Sequence, residues 1–186
     1  MKIIKTSIPG LLVLEPKVFE DSRGYFFESY NQNPLETAGI DCNFVQDNQS
    51  KSNFGVLRGL HFQHEPYAQA KLVRVIQGEV MDVAVDLRVG SPTYGVVHSE
   101  VLSSENKKQM YVPRGFAHGF VVLSASAEFF YKCDNNYSKE HDAGLRFDDP
   151  ELNIDWRLPS NSLVLSEKDR NLPYLKDAEL NFAFVS

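Results

Sequence analysis

The chain has 186 residues, of which 42% are hydrophobic and 24% are charged, and its formal net charge at pH 7 is −6. This length and hydrophobic content predict one globular domain that spans residues 1–186. The acidic balance excludes a broad nucleic-acid-binding face, because phosphate backbones are bound by basic surfaces, so an anionic ligand has to meet locally placed cations.

The sequence carries no signal for export or membrane insertion. The N-terminal MKIIKTSIPG has too short an apolar run for a signal peptide, and no stretch approaches the roughly 18 apolar residues of a membrane span. We therefore expect a cytoplasmic protein with no membrane or nucleic-acid partner. Cys42 and Cys133 belong to no CxxC motif or Cys/His array, so we expect two free thiols that serve as buried packing groups.

Short runs rich in Val, Ile, Phe and Tyr alternate with turn residues along the chain and predict strands. The predicted strands are 11–14, 25–30, 43–47, 72–76, 80–87, 95–101, 108–112, 119–123 and 128–133. Helical signal is confined to 34–38 and to a turn at 150–152. The spacing predicts an all-β fold, either an antiparallel sandwich or a barrel.

The stretch 55–72, GVLRGLHFQHEPYAQAKL, places Arg58, His61 and Lys71 in an otherwise apolar, β-prone region. A cation directed into a core is costly unless it meets an opposite charge, so such residues are either solvated or kept for a task. If Gln77-Gly78 forms a two-residue hairpin turn, Asp82 shares a face with Lys71. Asp82 is then expected to lie near Lys71 as its counter-charge.

The segment MYVPRGFAHGFVVLS contains Pro113-x-Gly115-x-x-His118, which is the spacing of the second cupin motif. The proline and glycine turn the chain into a strand whose histidine points into a small barrel, where ligands or metals are held. A two-residue turn at 125–126 would place Tyr131 on the same face as His118. A histidine satisfied by hydrogen bonds near the barrel mouth is the alternative.

A metal-binding cupin also needs two histidines at i and i+2, so that both rings lie on one face of a strand. Here His61 is followed at i+2 by Gln63, and His64 points the other way in a regular strand. Val122 stands where an asparagine closes the second motif. We therefore predict no metal site and expect the barrel to carry out acid/base chemistry.

Ten segments, in chain order, carry a family resemblance. They are DSRGYFFE at 21–28, FVQDN at 44–48, VLRGLHFQ at 56–63, KLVR at 71–74, DVAVDLR at 82–88, GSPT at 90–93, VPRGFAHGF at 112–120, YK at 131–132, DDP at 148–150 and SEKD at 166–169. Through them the chain resembles the dTDP-4-dehydrorhamnose 3,5-epimerase family. The resemblance implies a cupin-type antiparallel β-barrel (jelly roll) with short peripheral helices, a homodimer, and no cofactor.

The family reaction inverts C3 and C5 of dTDP-4-keto-6-deoxy-D-glucose and gives dTDP-4-keto-L-rhamnose, on the route to dTDP-L-rhamnose. By resemblance His61 is the base and Asp169 its partner, which fixes the tautomer and favours the imidazolium. Lys71, with His118 near it, stabilises the enolate oxygen. Tyr131 is the acid that returns a proton to the face opposite His61, and this return makes the enzyme an epimerase.

The resemblance also assigns contacts to the dTDP-4-keto-6-deoxyhexose substrate. These substrate-binding residues are Arg23, Glu28, Gln46, Asn48, Arg58, His118, Tyr137, Asp142 and Lys168. The forked guanidinium groups of Arg23 and Arg58 suit the diphosphate and sugar, and Tyr137 stacks on the thymine ring. Asp142 stands where the family usually has a glutamate, so its reach to the nucleotide is expected to be shorter.

Three rival functions stay open. One is an epimerase of the same family that inverts only C3 or only C5 of another dTDP-4-keto-deoxysugar, since the choice depends on how the ring lies in the pocket. Another is a non-catalytic nucleotide-sugar-binding cupin, which would not need His61, Tyr131 and Asp169 together. The third is a metal-dependent cupin oxygenase or isomerase, which a chelator would inactivate.

Overall fold

The structure is a computed structural model that describes residues 1–185, and strands dominate it. The strands are β1 (Lys2–Lys5), β2 (Leu12–Glu15), β3 (Val18–Asp21), β4 (Gly24–Phe27), β5 (Gln46–Asn53), β6 (Leu57–Gln63), β7 (Lys71–Gln77), β8 (Glu79–Asp86), β9 (Val97–Ser103), β10 (Gln109–Val112), β11 (Phe116–Val122), β12 (Ser126–Cys133) and β13 (Asp142–Gly144). The helices are α1 (Gln32–Thr37) and α2 (Glu167–Arg170), with 3-10 turns at Ser160–Ser162 and Leu175–Asp177.

Two antiparallel sheets face each other. The six-stranded sheet has the order β1-β2-β10-β7-β12-β5, and the five-stranded sheet has the order β13-β6-β11-β8-β9. Strands β3 and β4 form a separate hairpin. This cupin-type jelly roll with short peripheral helices confirms the predicted fold class. Among residues 1–185, no helix is long and apolar enough to cross a membrane.

The core consists of three clusters of apolar side chains, because each sheet is covered on both of its faces. Val73, Phe129, Ala84 and Phe120 pack between the sheets. The segment 145–182 covers the outer face of the five-stranded sheet, where its apolar side chains bury Met81, Val83 and Val85. These covering side chains are Leu145, Leu152, Trp156, Leu163, Leu175 and Phe182. Helix α1 covers the other sheet through Leu35. The segment that carries α2 is thereby fixed against β6.

Both predicted hairpins are wrong. Strand β7 pairs with β10 and β12, whereas β8 pairs with β9 and β11, so the chain crosses from one sheet to the other at Gly78. Gly78 has φ +80°, and a Cβ there would lie 2.1 Å from the carbonyl oxygen of Ser126. The β11–β12 connection crosses between the sheets in the same way. Turn residues alone do not distinguish a hairpin from such a crossing.

All nine predicted strands overlap strands of the structure, whereas β1, β3, β6 and β13 were not predicted, and the helix predicted at 34–38 overlaps α1. The strand predicted at 43–47 is misplaced, because β5 is an edge strand of polar residues that extends to Asn53. Cys42 and Cys133 are free thiols, as expected, although only Cys133 is fully buried.

Candidate active site

A cavity of about 470 Å³ opens between the two sheets, and all four predicted catalytic side chains line it. The five-stranded sheet contributes Arg58, His61 and His118, the six-stranded sheet contributes Lys71 and Tyr131, and the α2 segment contributes Ser166, Lys168 and Asp169. Phe120 and Phe129 supply apolar walls. Such a cavity, mostly apolar with a few converging polar groups, is typical of a small-molecule site.

His61 lies near the end of β6, and its Nε2 is 2.7 Å from Oδ1 of Asp169. The Asp169 side chain is 5% exposed and that of His61 is 32% exposed, so the pair reaches from the wall into the cavity. Burial acts to raise the pKa of Asp169, but the hydrogen bond and charge of His61 and the Gly59 N–H outweigh it, and the pKa lies below its ordinary value. An ionised Asp169 accepts a hydrogen bond from Nε2–H of His61, which leaves Nδ1 as the unprotonated nitrogen.

A short helix places Asp169. Ser166 caps the N-terminus of α2, and its Oγ accepts a hydrogen bond from the Asp169 N–H at 3.1 Å. Capping by serine satisfies a backbone N–H that the first helical turn would otherwise leave free. The Ser-Glu-Lys-Asp sequence thus contains both the carboxylate and the cap that orients it.

Close approach of β6 and β11 brings the two histidines together. His61 and His118 are Cα partners across these strands, and the register shifts between His118 and Phe120. A Cβ on Gly119 would lie 2.7 Å from the carbonyl oxygen of Arg58, so only glycine allows this approach.

His118 forms a hydrogen bond with the buried carboxylate of Asp82. The sequence predicted Asp82 near Lys71 through a hairpin that does not form. Nε2 of His118 lies 2.9 and 3.1 Å from the two carboxylate oxygens of Asp82 on the adjacent strand β8. Burial raises the pKa of Asp82, although the charges of His118 and Lys71 oppose the shift. The pair repeats the arrangement of His61 with Asp169 on the same wall of the cavity.

Lys71 begins β7 and reaches the cavity from the facing sheet. Burial lowers the pKa of Lys71, while nearby negative charge, including that of Asp82, opposes the shift. The neighbouring thiol of Cys133 is neutral at pH 7, because burial raises its pKa to about 11. The predicted proximity of Lys71 and Asp82 therefore arises from two facing sheets and not from a hairpin.

Tyr131 lies on β12, where its Cα partners are Val73 and Asn48. Its ring packs 6.0 Å from that of Phe129, and burial raises the pKa of its hydroxyl. Tyr131 is therefore a neutral phenol at pH 7, which is the form that can donate a proton.

Arg58 is an exposed cation in the cavity wall, and its Nε donates to the Oγ of Ser52 at 3.0 Å. Ser52 is buried on β5, and no sequence pattern singled it out. The contact leaves the terminal guanidinium nitrogens of Arg58 for an anionic ligand.

A polar rim lies beside the cavity. The Tyr137 hydroxyl donates to Oδ2 of Asp142 at 2.9 Å, and Nζ of Lys168 lies 2.5 Å from the same oxygen. Gln46 accepts the Tyr137 N–H at 3.0 Å and donates to Asn48 at 3.1 Å. The structure brings these five predicted binding residues together, but of them only Lys168 lines the main cavity.

Two predicted residues lie away from the cavity of this chain. Arg23 pairs with Asp21 at 2.6 Å in the exposed β3–β4 hairpin, where it lines a separate surface cavity. Glu28 is exposed just after β4. A single chain therefore does not assemble the whole predicted binding set.

No group of three or more His, Cys, Asp or Glu side chains within residues 1–185 is arranged to hold a metal ion. His64, the histidine next along the chain from His61, packs with its ring centroid 5.3 Å from that of Phe62 and 6.4 Å from that of Phe182. Gln63 is buried and bonds to the main chain of the 134–141 loop.

The sequence model described as dTDP-4-dehydrorhamnose 3,5-epimerase matches residues 5–177 of the chain. A protein of that name from Pseudomonas aeruginosa is 56% identical over 180 residues, which are 96% of this chain and 98% of the relative. The crystal structure of the same enzyme from Elizabethkingia anophelis is 56% identical, covers 95% of this chain and 97% of its own, and has a TM-score of 0.92. The dTDP-6-deoxy-D-glucose-3,5-epimerase of Legionella pneumophila, in complex with dTDP-4-keto-L-rhamnose, is 47% identical, with coverage of 100% and 99% and a TM-score of 0.95.

Proposed function

The chain belongs to the dTDP-4-dehydrorhamnose 3,5-epimerase family, and we propose that it inverts C3 and C5 of dTDP-4-keto-6-deoxy-D-glucose to give dTDP-4-keto-L-rhamnose for dTDP-L-rhamnose biosynthesis. The substrate is proposed from the relatives, one of which was crystallised with dTDP-4-keto-L-rhamnose. Both carbons are adjacent to the C4 ketone, which acidifies their C–H bonds, so the reaction needs only a base, an acid and an oxyanion stabiliser.

The observation that carries this proposal is the placement of the base and the acid on facing sheets. His61 enters the cavity from β6 of the five-stranded sheet, and Tyr131 enters from β12 of the six-stranded sheet. A sugar ring held between them presents one face to each side chain. Proton removal at one face and return at the other inverts the carbon.

In the first half of each inversion, Nδ1 of His61 takes the proton from C3 or C5. The C–H bonding electrons move into the ring to form the C=C bond of the enolate, and the C4 carbonyl electrons move onto its oxygen. The ammonium of Lys71 stabilises this oxyanion, with His118 near it in the same cavity. Asp169 stabilises the imidazolium that His61 becomes.

In the second half, the Tyr131 hydroxyl gives its proton to the opposite face of the same carbon. The enolate electrons form the new C–H bond, the ketone reforms, and Tyr131 is left as a phenolate. Burial opposes that charge, whereas Arg58 favours it. One proton leaves the sugar for His61 and one reaches the sugar from Tyr131. His61 then releases its proton to solvent and Tyr131 takes one up, so both side chains return to their starting states.

The remaining predicted contacts grip the nucleotide. Arg58 is proposed to bind the diphosphate, and Lys168, which protrudes from α2, to assist it. Tyr137 is 56% exposed, so its ring face is free to stack on thymine. Asp142 already accepts hydrogen bonds from Tyr137 and Lys168, so its contribution to the nucleotide is made through them.

We propose a homodimer in which the β3–β4 hairpin of one subunit completes the site of its partner. The hairpin carries Phe19, Tyr25 and Phe26, an apolar surface that its own chain leaves more than half exposed. It also carries Arg23, and Glu28 follows it. A partner cavity would bury the aromatic rings and receive Arg23 beside the diphosphate.

The test is to incubate the purified chain with dTDP-4-keto-6-deoxy-D-glucose and to determine the product by proton NMR. Ring coupling constants characteristic of the L-configured 4-keto sugar are the expected result. Inversion at C3 or C5 alone would assign the chain to a single-centre epimerase. Unchanged substrate that nevertheless binds would assign it to the nucleotide-sugar-binding proteins.

A further inference from the structure

The residue that we propose stacks on the thymine ring, Tyr137, lies in a loop without regular structure. Tyr137 falls within residues 134–141, between β12 and β13, and its side chain is mostly exposed. A ring in such a loop adds little affinity unless the loop is held in place before the ligand arrives, because ordering it on binding costs free energy. The contacts that hold this loop are therefore part of the binding site.

One buried side chain holds the main chain on both sides of the tyrosine. Gln63 is 5% exposed, and its Nε2 donates to the carbonyl oxygen of Asn136 at 3.2 Å and to that of Tyr67 at 2.7 Å. Its Oε1 accepts the N–H of Ser138 at 2.6 Å. Asn136 and Ser138 are the two neighbours of Tyr137, so a single amide group fixes the peptide units that flank it.

The other contacts of Tyr137 complete the support. Gln46 accepts a hydrogen bond from the Tyr137 N–H, and Asp142, the Cα partner of Gln63 on β13, accepts one from the Tyr137 hydroxyl. Gln63 also follows His61 by two residues on β6. Strand β6, which carries His61, therefore also fixes the loop that carries Tyr137. This connection sets the distance between the residues proposed to bind the sugar and the thymine ring.

We propose that Gln63 is a positioning residue for nucleotide binding, which acts by holding Tyr137 in the conformation that stacks on the base. This inference rests on the stacking role assigned to Tyr137 above. Gln63 lies outside the cavity that holds the reacting sugar, so it acts on binding and not on proton transfer. Leucine at this position would keep most of the side-chain volume and lose all three hydrogen bonds.

The experiment measures dTDP affinity by calorimetry, and kcat and KM for the dTDP-sugar, in wild type, Gln63→Leu, Tyr137→Ala and the double variant. Gln63→Leu is expected to raise the dTDP dissociation constant and KM about tenfold, while kcat stays within about twofold. In the Tyr137→Ala background, Gln63→Leu is expected to add nothing, because the residue through which it acts is already absent. Gln63→Glu keeps the acceptor for Ser138 and loses the donors, so an intermediate effect is expected.

Gln109→Leu is the matched control. Gln109 is 1% exposed and donates to the carbonyl oxygen of Ser29 at 2.7 Å, away from the cavity. Its replacement is expected to lower the melting temperature and leave dTDP affinity unchanged.

Two outcomes overturn the inference, and they differ. If Gln63→Leu, or Gln63→Glu should the leucine variant not fold, weakens dTDP binding by the same factor with and without Tyr137, Gln63 does not act through the tyrosine. If Tyr137→Ala binds dTDP as tightly as wild type, the assigned stacking role fails and the inference fails with it.

Discussion

His61 and Asp169 are 108 residues apart in the chain, yet their side chains form a 2.7 Å hydrogen bond that joins β6 to α2. Each side chain depends on the other, Asp169 for its ionised state and His61 for its tautomer. Asp169 needs the imidazole N–H and the Gly59 N–H to remain ionised in a buried position, and His61 needs a fixed carboxylate to hold one tautomer. The following predictions test this pair and the groups that face it.

Replacing His61 by asparagine should remove the base and leave the fold intact, because His61 is partly exposed. We expect kcat to fall about 10²–10⁴-fold, the range for general acid–base catalysis, with loss of proton exchange at both C3 and C5. The measurement is NMR of the substrate in D2O with the variant enzyme. His64→Asn is the matched control, because that ring packs against Phe62 and Phe182, and it should react at close to the wild-type rate. A His61→Asn variant with wild-type turnover would show that another residue is the base.

Replacing Tyr131 by phenylalanine should separate exchange from inversion. The ring keeps its packing on Phe129, but the hydroxyl that returns the proton is lost. We expect deuterium to enter from solvent while inversion at C5 fails, which NMR of the recovered sugar would reveal. Tyr111→Phe, in the core cluster under α1, removes a hydroxyl remote from the cavity and should leave the product unchanged. Full inversion at C5 by Tyr131→Phe would assign the acid to another group.

Replacing Lys71 by methionine should abolish activity and stabilise the fold. Burial lowers the pKa of Lys71, so the charged form is held at a cost in stability that is present below its folded-state pKa. That cost disappears as pH rises through the folded pKa toward the ordinary value of 10.5. The variant should therefore melt about 2–4 °C higher for each kcal/mol gained, by thermal unfolding at pH 7, and the difference should narrow toward pH 10. A lower melting temperature at pH 7 would mean that Lys71 contributes net stability through its carboxylate neighbours.

Replacing Asp169 by asparagine should give the opposite pH dependence. The pKa of Asp169 is lowered in the fold, so its contribution is fully present above the ordinary value of 3.8 and is lost as pH falls through the folded pKa. We expect a loss of about 1.5–3 kcal/mol at pH 7, the range for a hydrogen bond to a charged group. Denaturant unfolding at pH 7 and at pH 3 measures the difference. An undiminished difference at pH 3 would contradict the charged pair.

Subunit mixing tests the proposed homodimer. Arg23→Ala and His61→Asn should each inactivate their own homodimer, because every site then lacks one group. After the two variants are unfolded and refolded together, half of the dimers are mixed and one of their two sites is intact. About one quarter of wild-type activity should return if Arg23 serves the partner's site. No recovery would mean that Arg23 and His61 act in the same subunit.

The sequence predicted the fold class and most of the polar side chains that line the cavity, but not the strand connections. Runs rich in Val, Ile, Phe and Tyr predicted β8 and β12, whereas β6, which has arginine, glycine and histidine within it, was not predicted as a strand. The chain does turn at Gly78, as predicted, yet this turn joins two sheets. Asp82 on β8 nevertheless lies near Lys71 on β7, because the two sheets that carry these strands face each other. The single domain over residues 1–186 stays a prediction.

Supporting residues were the part of the site that sequence patterns missed. Ser52, which holds Arg58, lies in a polar edge strand with no distinguishing motif. In the sequence, Gln63 indicates only that a metal-binding histidine is absent, whereas in the structure its amide bonds to a loop more than 70 residues later. Such contacts depend on tertiary placement, which local periodicity does not encode.

The central claim is that His61 removes and Tyr131 returns protons on opposite faces of one ring. The most direct measurement is incubation of the wild-type enzyme with dTDP-4-keto-6-deoxy-D-glucose in D2O, followed by NMR of the product for deuterium and configuration at C3 and C5. The account predicts one deuterium at each carbon together with inversion at each. Inversion without deuterium, or deuterium at both carbons without inversion, would contradict it.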